Sequence, residues 1–290
     1  MATQVLGTGL SGLVGSRIVE LNPDYQFTDL SLDTGKNILD PKTLIADFAN
    51  NSADTVIHLA AFTDTGSAWD QKGDKSGSCY QINVVGTQNI VDLCRKHNKY
   101  LIYISTDFVF DGTKTTPYDE TDSPNPLDWY GQTKYEAEKI VANIPSSIIR
   151  IAYPYRANFS QKVDLIRKIK NNLENNQVCT LFNDQITTPT LIDDIATGLS
   201  LIIRNKPTGI YHLVGSSSQS PYEMALQIAK TFNLDQNLIK PSSLQQYLKQ
   251  SKVRPYALNG ALSNHKFISE FGTTPHTLSS GLQIIKNQIL

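Results

Sequence analysis

The feature that most constrains the fold is an alternation in the first half of the chain, where short β-type runs are separated by helical patterns. "TQVLG" (3–7), "YQFTDL" (25–30), "DTVIHLAA" (54–61), "YLIYIST" (100–106) and "SSIIRIA" (146–152) read as strands. The third is apolar enough to be buried on both faces. Between them lie helical patterns from about Leu13 to Leu21, "DPKTLIADFAN" (40–50), "YQINVVGTQNIVDLCRKHN" (80–98), and about Tyr130 to Asn143. Strands joined through helices imply right-handed crossovers and a parallel sheet. The expected fold is therefore α/β, a Rossmann-type doubly wound parallel sheet over residues 1–152.

Beyond residue 152 the texture changes. Helical patterns "SQKVDLIRKIKNNL", "LIDDIATGLSLII" and "SPYEMALQIAKTF" sit among short strands ("VCTLF", "GIYHLVG") and Pro-containing loops. This predicts a smaller C-terminal substrate-binding lobe, residues 153–290. With no linker before it, the lobe is not expected to fold alone, and some of its elements are free to return to the sheet. Ligands of such sheets bind beyond the carboxyl ends of the parallel strands.

Several function classes are disfavoured at once. A formal net charge of −1 over 290 residues gives no electrostatic reason to expect nucleic acid or an anionic membrane as partner. No apolar run is long enough to span a bilayer and no leader is recognisable, so a cytoplasmic setting is expected. A homodimer is compatible with this composition. Cys79, Cys94 and Cys179 are scattered and read as reduced structural thiols. His58, His97, His212, His265 and His276 show no metal spacing, and no metal is expected. Asp193 and Asp194 open a helical pattern, where its dipole favours carboxylates, rather than forming an acid/base pair.

"GTGLSGLVG" (7–15) follows the first strand and opens the first helix. It carries two overlapping fingerprints, Gly7-Gly9-Gly12 and Gly9-Gly12-Gly15. Either would cradle a dinucleotide pyrophosphate at the start of the helix. Asp29, at the end of the second strand, can accept hydrogen bonds from the adenosine ribose. A carboxylate there repels a 2′-phosphate, and "DLSLDTG" has no basic residue before Lys36, so NAD(H) is favoured over NADP(H).

"WYGQTKYEAEK" contains Tyr130…Lys134 and Tyr135…Lys139, two overlapping Tyr-x-x-x-Lys pairs. Each pair shares a helix face, and the two faces diverge. Lys139 lies beside Glu136 and Glu138, which reads as a solvated surface. Tyr130 and Lys134 lead into Ala137 and Val141, a face able to approach the sheet. The chemistry is therefore assigned to Tyr130 and Lys134. An ammonium beside a phenol is expected to lower the phenol's pKa toward a useful general-acid range. The same ammonium can hold the nicotinamide ribose. Ser105 and Thr106, at the fourth strand's end, supply hydroxyls to orient a substrate carbonyl.

Together these residues resemble the extended short-chain dehydrogenase/reductase family, most closely its dTDP-4-dehydrorhamnose reductase branch. The segments are "GTGLSGLVG", "DTVIHLAAFTDT", "NVVGTQN", "NDQITTPT", "GIYHLVG", "RPYALNGALSNHKF" and, most specifically, the run from Tyr103 to Glu138. The resemblance implies Gly9, Gly12 and Gly15 as the working frame, and Thr106, Tyr130 and Lys134 as the catalytic set. It implies cofactor contacts from Leu13 and Val14 through backbone N–H groups, from Asn37 and Ile38 around adenine, and from Ala60, Ala61 and Thr63 past the third strand. Asn83 falls at a structural asparagine of the family, and Ser105, Thr106, Tyr153 and Arg254 would face a nucleotide-sugar substrate.

This chain departs from the branch at Asn37, where aspartate is usual, at Phe108 for a tyrosine, at Tyr153 for a tryptophan, and over "GSAWDQKGDKSGSCY" (66–80). Three functions stay open at this point. One is an NAD(P)H-dependent reductase of a nucleotide-linked 4-keto-6-deoxy sugar. The second is an NAD-dependent nucleotide-sugar epimerase or dehydratase. The third is a non-catalytic cofactor-binding regulatory subunit, like the β subunit of methionine adenosyltransferase.

Overall fold

The structure, a computed structural model, describes residues 3–289. In chain order the elements are β1 (Thr3–Thr8), α1 (Gly15–Leu21), β2 (Tyr25–Asp29), α2 (Ile45–Asn50), β3 (Thr55–His58) and α3 (Thr65–Asp70). Next come α4 (Ser78–Tyr80), α5 (Thr87–Lys96), β4 (Tyr100–Thr106), α6 (Trp129–Val141) and β5 (Ser146–Ile151). The second half holds β6 (Pro154–Tyr155), α7 (Leu165–Glu174), β7 (Cys179–Phe182), β8 (Thr190–Leu191), α8 (Ile192–Asn205) and β9 (Gly209–His212). It ends with α9 (Pro221–Phe232), β10 (Ile239–Ser242), α10 (Leu244–Leu248), α11 (His265–Phe271) and α12 (Leu278–Ile289).

The described residues form two compact units. The first holds the residues through Val109, Pro126–Arg150 and Ala196–Tyr211; the second holds Phe110–Asn125, Ile151–Ile195 and the residues from His212 onward.

The first unit contains a six-stranded sheet in the order β2-β1-β3-β4-β5-β9. The pairings β1–β2, β1–β3 and β3–β4 are parallel, so the Rossmann-type sheet read from the sequence is the one found. Alternation along the strands sends Leu6, Val56 and Leu101 into one core with Phe48, Ile90, Val91, Ala137 and Val141 of α2, α5 and α6. Their neighbours Val5, Ile57 and Ile102 point the other way and are equally buried, so both faces of the sheet are covered. The register sets Gly7 beside Asp29, Thr8 beside His58, and His58 beside Tyr103. The glycine turn, Asp29 and the end of β4 thus gather at the carboxyl ends of the strands.

Two expected helices are interrupted. The one foreseen over 40–50 starts as a tight turn at Pro41–Thr43, capped by the Asp40 side chain, before α2 begins. The one foreseen over 80–98 begins at Ser78 and widens to π-helical geometry over Gln81–Gly86. Asn83 sits in that widened turn. Its Oδ1 accepts from Phe62 N (2.8 Å), and its Nδ2 donates to Thr133 Oγ1 (3.0 Å), tying the turn to the loop after β3 and to α6.

In the second unit α7, α9 and α12 pack around β7 with residues such as Ile169, Leu173, Met224, Ile228, Leu282 and Ile285. Helix α9 opens on a Ser220–Glu223 capping box with Pro221 in its first turn. The strap 110–125 folds on its own acids. Tyr118 Oη donates to Asp111 Oδ1 (2.6 Å), and the two rings Phe110 and Tyr118 stack at 4.2 Å. Glu120 accepts from His212 N at 2.8 Å. Most of the distinctive "FDG…PYDETD" run is thereby explained as a self-fastened strap.

Asp194 accepts from His276 Nδ1 (2.7 Å) and from its backbone N (2.8 Å), and Asp193 accepts from Gln288, which gives both acids partners at the start of α8. Among the described residues no group of three or more potential metal ligands converges, and no helix is long and apolar enough to cross a membrane.

Candidate active site and cofactor cradle

The glycine turn is closed by backbone. Gly12 N donates to Gly9 O, and an added Cβ at Gly12 or Gly15 would lie 3.2 or 2.3 Å from that same oxygen. Gly9 has φ +69°, and a Cβ there would meet Ala60 N at 2.7 Å. Gly7 would meet only the flexible Leu10 side chain. The geometric demand for glycine thus falls on Gly9, Gly12 and Gly15. Helix α1 opens at Val14 without a side-chain cap.

At the end of β2, Asp29 Oδ2 accepts from Ser31 Oγ at 2.9 Å, while Oδ1 is buried without a hydrogen-bond partner. A buried acceptor left open there suits a ribose hydroxyl. These two observations, the cradle at Gly9 and the open Asp29 oxygen, fit a dinucleotide.

The remaining cofactor candidates are less uniform. Asn37 Oδ1 already accepts from Leu39 N (2.9 Å), so one of its lone pairs is engaged in its own loop. The Ile38 side chain lies in the core against Gly86, whose added Cβ would sit 2.6 Å from Ile38 Cδ1. Its carbonyl accepts from Asn89 Nδ2 at 2.8 Å. Ala60 N donates to Thr8 Oγ1 at 3.2 Å; Ala60 and Ala61 are half-buried beyond β3, and Thr63 is exposed.

The Tyr-x-x-x-Lys helix faces the sheet with Tyr130 and Lys134, both buried, while Tyr135 is half-buried and Lys139 exposed beneath it in a cation–π contact. Lys134 Nζ donates to Ile104 O (2.7 Å) and stands 4.1 Å above the Tyr103 ring. Burial brings this ammonium down to about 7, with Glu138 opposing. The Phe108 ring stands edge-on to Tyr130 at 5.4 Å, and Thr106 is buried at the end of β4. Burial, with Asp107 and Asp128 adding to it, holds the phenol above its ordinary pKa. The expected direction, a phenol lowered by Lys134, is therefore not the one found; desolvation leads the shift, and Lys134 is not among its causes. Ser105 Oγ is buried with no partner.

Three features escaped sequence reasoning. Glu138, expected on a solvated face, is 2% exposed and clamps Arg150 of β5. Gly131 lets α6 approach the turn after β4, since its Cβ would lie 2.2 Å from Phe108 O. Asp107 is buried beside Thr106 and pushed up to about 7 by desolvation. The glycine inside "YGQTK" was the one available signal.

Tyr153 and Arg254 belong to the second unit. Tyr153 takes φ +44°, a left-handed conformation rare for a tyrosine. Arg254 stacks on the Tyr256 ring at 4.1 Å, and that ring packs with Tyr247 and Phe182.

Fold and site together define a Rossmann-type α/β protein with a glycine turn and a buried Tyr-x-x-x-Lys helix. The chain belongs to the family described as RmlD substrate binding domain, whose model matches residues 3–289. It is 30% identical over 235 residues to a dTDP-4-dehydrorhamnose reductase of Aggregatibacter actinomycetemcomitans, covering 78% of each chain. It is 29% identical to the methionine adenosyltransferase 2 subunit beta of Xenopus laevis over 82% of this chain and 75% of that one. The fold matches that of a dTDP-4-dehydrorhamnose reductase from Bacillus anthracis, solved in complex with NADP, with TM-score 0.88 at 24% identity over 99% of this chain and 100% of the other. The reductase-branch resemblance drawn from the motifs is thus borne out.

Proposed function

We propose that the chain is an NAD(P)H-dependent reductase of a nucleotide-linked 4-keto-6-deoxy sugar, working in the cytoplasm. The observation that carries this reading is the joint burial of Tyr130 and Lys134 on one face of α6, with Thr106 buried at the end of β4. When bound, the nicotinamide supplies the hydride. Gly9, Gly12 and Gly15 with the turn at Leu13 and Val14 hold the pyrophosphate, and Asp29 takes the ribose. Ala60, Ala61 and Thr63 line the cofactor.

A phenol kept above its ordinary pKa enters the reaction still protonated, so Tyr130 has a proton to give to the oxygen that becomes the alcohol. Lys134 is fixed by Ile104 O and the Tyr103 ring, and its assigned role is to meet the nicotinamide ribose and the developing phenolate. Ser105 and Thr106 orient the carbonyl. The second unit is assigned the nucleotide sugar, with Tyr153 and Arg254 as its contacts.

The regulatory reading has a specific support, the likeness to the methionine adenosyltransferase subunit. The two separate cleanly in one assay. The purified chain should oxidise NADH or NADPH when given a dTDP-, UDP- or GDP-linked 4-keto-6-deoxy sugar. Absence of turnover with all three favours the regulatory reading.

A further inference from the structure

His58, the last residue of β3, is wholly buried between two threonine hydroxyls. Its Nε2 lies 3.1 Å from Thr87 Oγ1, and its Nδ1 lies 2.6 Å from Thr8 Oγ1. Thr87 has a single hydroxyl proton, and its 2.7 Å contact with the Asn83 carbonyl, which can only accept, commits that proton there. Thr87 therefore meets His58 with a lone pair, and Nε2 must carry the hydrogen. On the other side of the ring, Thr8 Oγ1 already accepts from Ala60 N at 3.2 Å. With Nδ1 bare, the Thr8 proton has its acceptor and every bond is made. A hydrogen on Nδ1 would press a second donor on Thr8 and turn the Thr8 proton away. The arrangement admits one form of His58, the neutral Nε2–H tautomer.

Both ends of this chain of hydrogen bonds reach parts of the candidate site. Thr8 ends β1, and the Ala60 N–H that it holds is the group a Cβ at Gly9 would meet at 2.7 Å. His58 thus backs the seat of the glycine turn. At the other end, Asn83 continues the chain with its side chain. Asn83 Nδ2 donates to Thr133 Oγ1 at 3.0 Å, and Thr133 Oγ1 donates to the Tyr130 carbonyl at 2.8 Å. Thr8, Asn83, Thr87 and Thr133 are all buried. We propose that His58, as its neutral Nε2–H tautomer, is a positioning residue that ties the glycine turn to the backbone of Tyr130, through Thr8 on one side and through Thr87, Asn83 and Thr133 on the other.

Neutral imidazole suits this place because it accepts at one nitrogen and donates at the other. Facing the ring are Tyr103 of β4, with 5.7 Å between ring centroids, and Lys134 of α6. Burial, with the Lys134 ammonium adding to it, takes the imidazole down to about 3, so the neutral form persists through the range in which histidine usually titrates. A buried polar network with every member satisfied rigidifies the groups it joins. Here those groups are the seat of the glycine turn and the helix that presents Tyr130, whose relative placement decides whether hydride and proton reach one substrate carbonyl.

The catalytic part of this role rests on the reductase reading, whereas the tie to the glycine turn is measured without turnover. Nitrogen NMR of the cofactor-free protein labelled in its five histidines should show His58 with Nε2 protonated and Nδ1 bare. The signal is assigned by its loss in His58→Gln, and it should not change between about pH 5 and 8. An Nδ1–H tautomer, or a His58 signal that titrates in that range, overturns the proposal.

The second arm uses Thr87→Val, which removes the lone pair facing Nε2–H at nearly constant size, and Thr87→Ser, which keeps it. Fluorescence titration should find NADH bound about tenfold more weakly by Thr87→Val and by His58→Leu. Thr87→Ser, and His58→Gln with one amide donor and one acceptor, should stay within a few-fold of the wild type. Wild-type NADH affinity in Thr87→Val, or an equal loss in Thr87→Ser, overturns the proposal. At saturating NADH, kcat of Thr87→Val with the 4-keto-6-deoxy sugar nucleotide should fall by roughly ten- to a hundredfold while KM for the sugar is unchanged. An unchanged kcat overturns the link to Tyr130. If the NMR and NADH results hold but the wild type turns over no dTDP-, UDP- or GDP-linked 4-keto-6-deoxy sugar, the reductase reading fails and the tie from His58 to the glycine turn stands.

Discussion

Glu138 holds Arg150 through two hydrogen bonds, Oε2 from Nη2 at 2.7 Å and Oε1 from Nε at 2.9 Å, with both side chains essentially out of water. Glu138 lies one turn beyond Lys134 on α6, and Arg150 lies on β5. The pair therefore pins the helix that carries Tyr130 and Lys134 against the sheet that carries Thr106.

Removing one partner strands the other charge in the core. Glu138→Leu should cost about 3–5 kcal/mol of stability, whereas a paired Glu138→Leu/Arg150→Met variant should recover most of it. Denaturant unfolding of the two variants checks this. Equal losses in single and double variants would show that the helix is held by packing and not by the ion pair.

Cofactor choice follows from Asp29. One of its oxygens is occupied by Ser31 and the other is buried and open, so a ribose hydroxyl has an acceptor and a 2′-phosphate meets a negative charge. Fluorescence titration should find NADH bound more tightly than NADPH, and Asp29→Ala should narrow the gap. A clear NADPH preference in the wild type contradicts this use of Asp29.

The proposed diphosphate contact is Arg254, held on the Tyr256 ring. A charge-assisted contact of this kind is worth roughly 1.5–3 kcal/mol, so Arg254→Ala should raise the KM for the nucleotide sugar roughly tenfold or more. NADH affinity should not change. Unaltered KM would remove Arg254 from the substrate site.

What the sequence made legible were features whose cause is local. The glycine spacing, the strand before it and Asp29 all lie within one βαβ unit; there a Cβ at Gly9, Gly12 or Gly15 would press on backbone, and Asp29 Oδ1 is buried without a partner. Tyr130 could be separated from Tyr135 because Ala137 and Val141 continue its face at helical period, and those residues do enter the core. What stayed hidden depends on partners distant in sequence. Glu138 looked solvated among the charges of "KYEAEK" because its partner Arg150 sits on the next strand. The side chain of Ile38 enters the core because Gly86 of the widened turn leaves room for it. The direction of the Tyr130 shift depends on the same thing: burial comes from the assembled fold, and it leads the shift upward.

The central claim is that Tyr130 gives up the proton in a reductase reaction, and one comparison tests it most directly. NADH or NADPH oxidation with a dTDP-linked 4-keto-6-deoxy sugar should be measured for the wild type, Tyr130→Phe and Tyr135→Phe. General-acid catalysis is typically worth about 10²–10⁴-fold, so Tyr130→Phe should lose turnover by that factor while still binding cofactor. Tyr135→Phe, which alters only the half-buried ring under Lys139, should match the wild type. Turnover retained by Tyr130→Phe and lost by Tyr135→Phe would contradict the account.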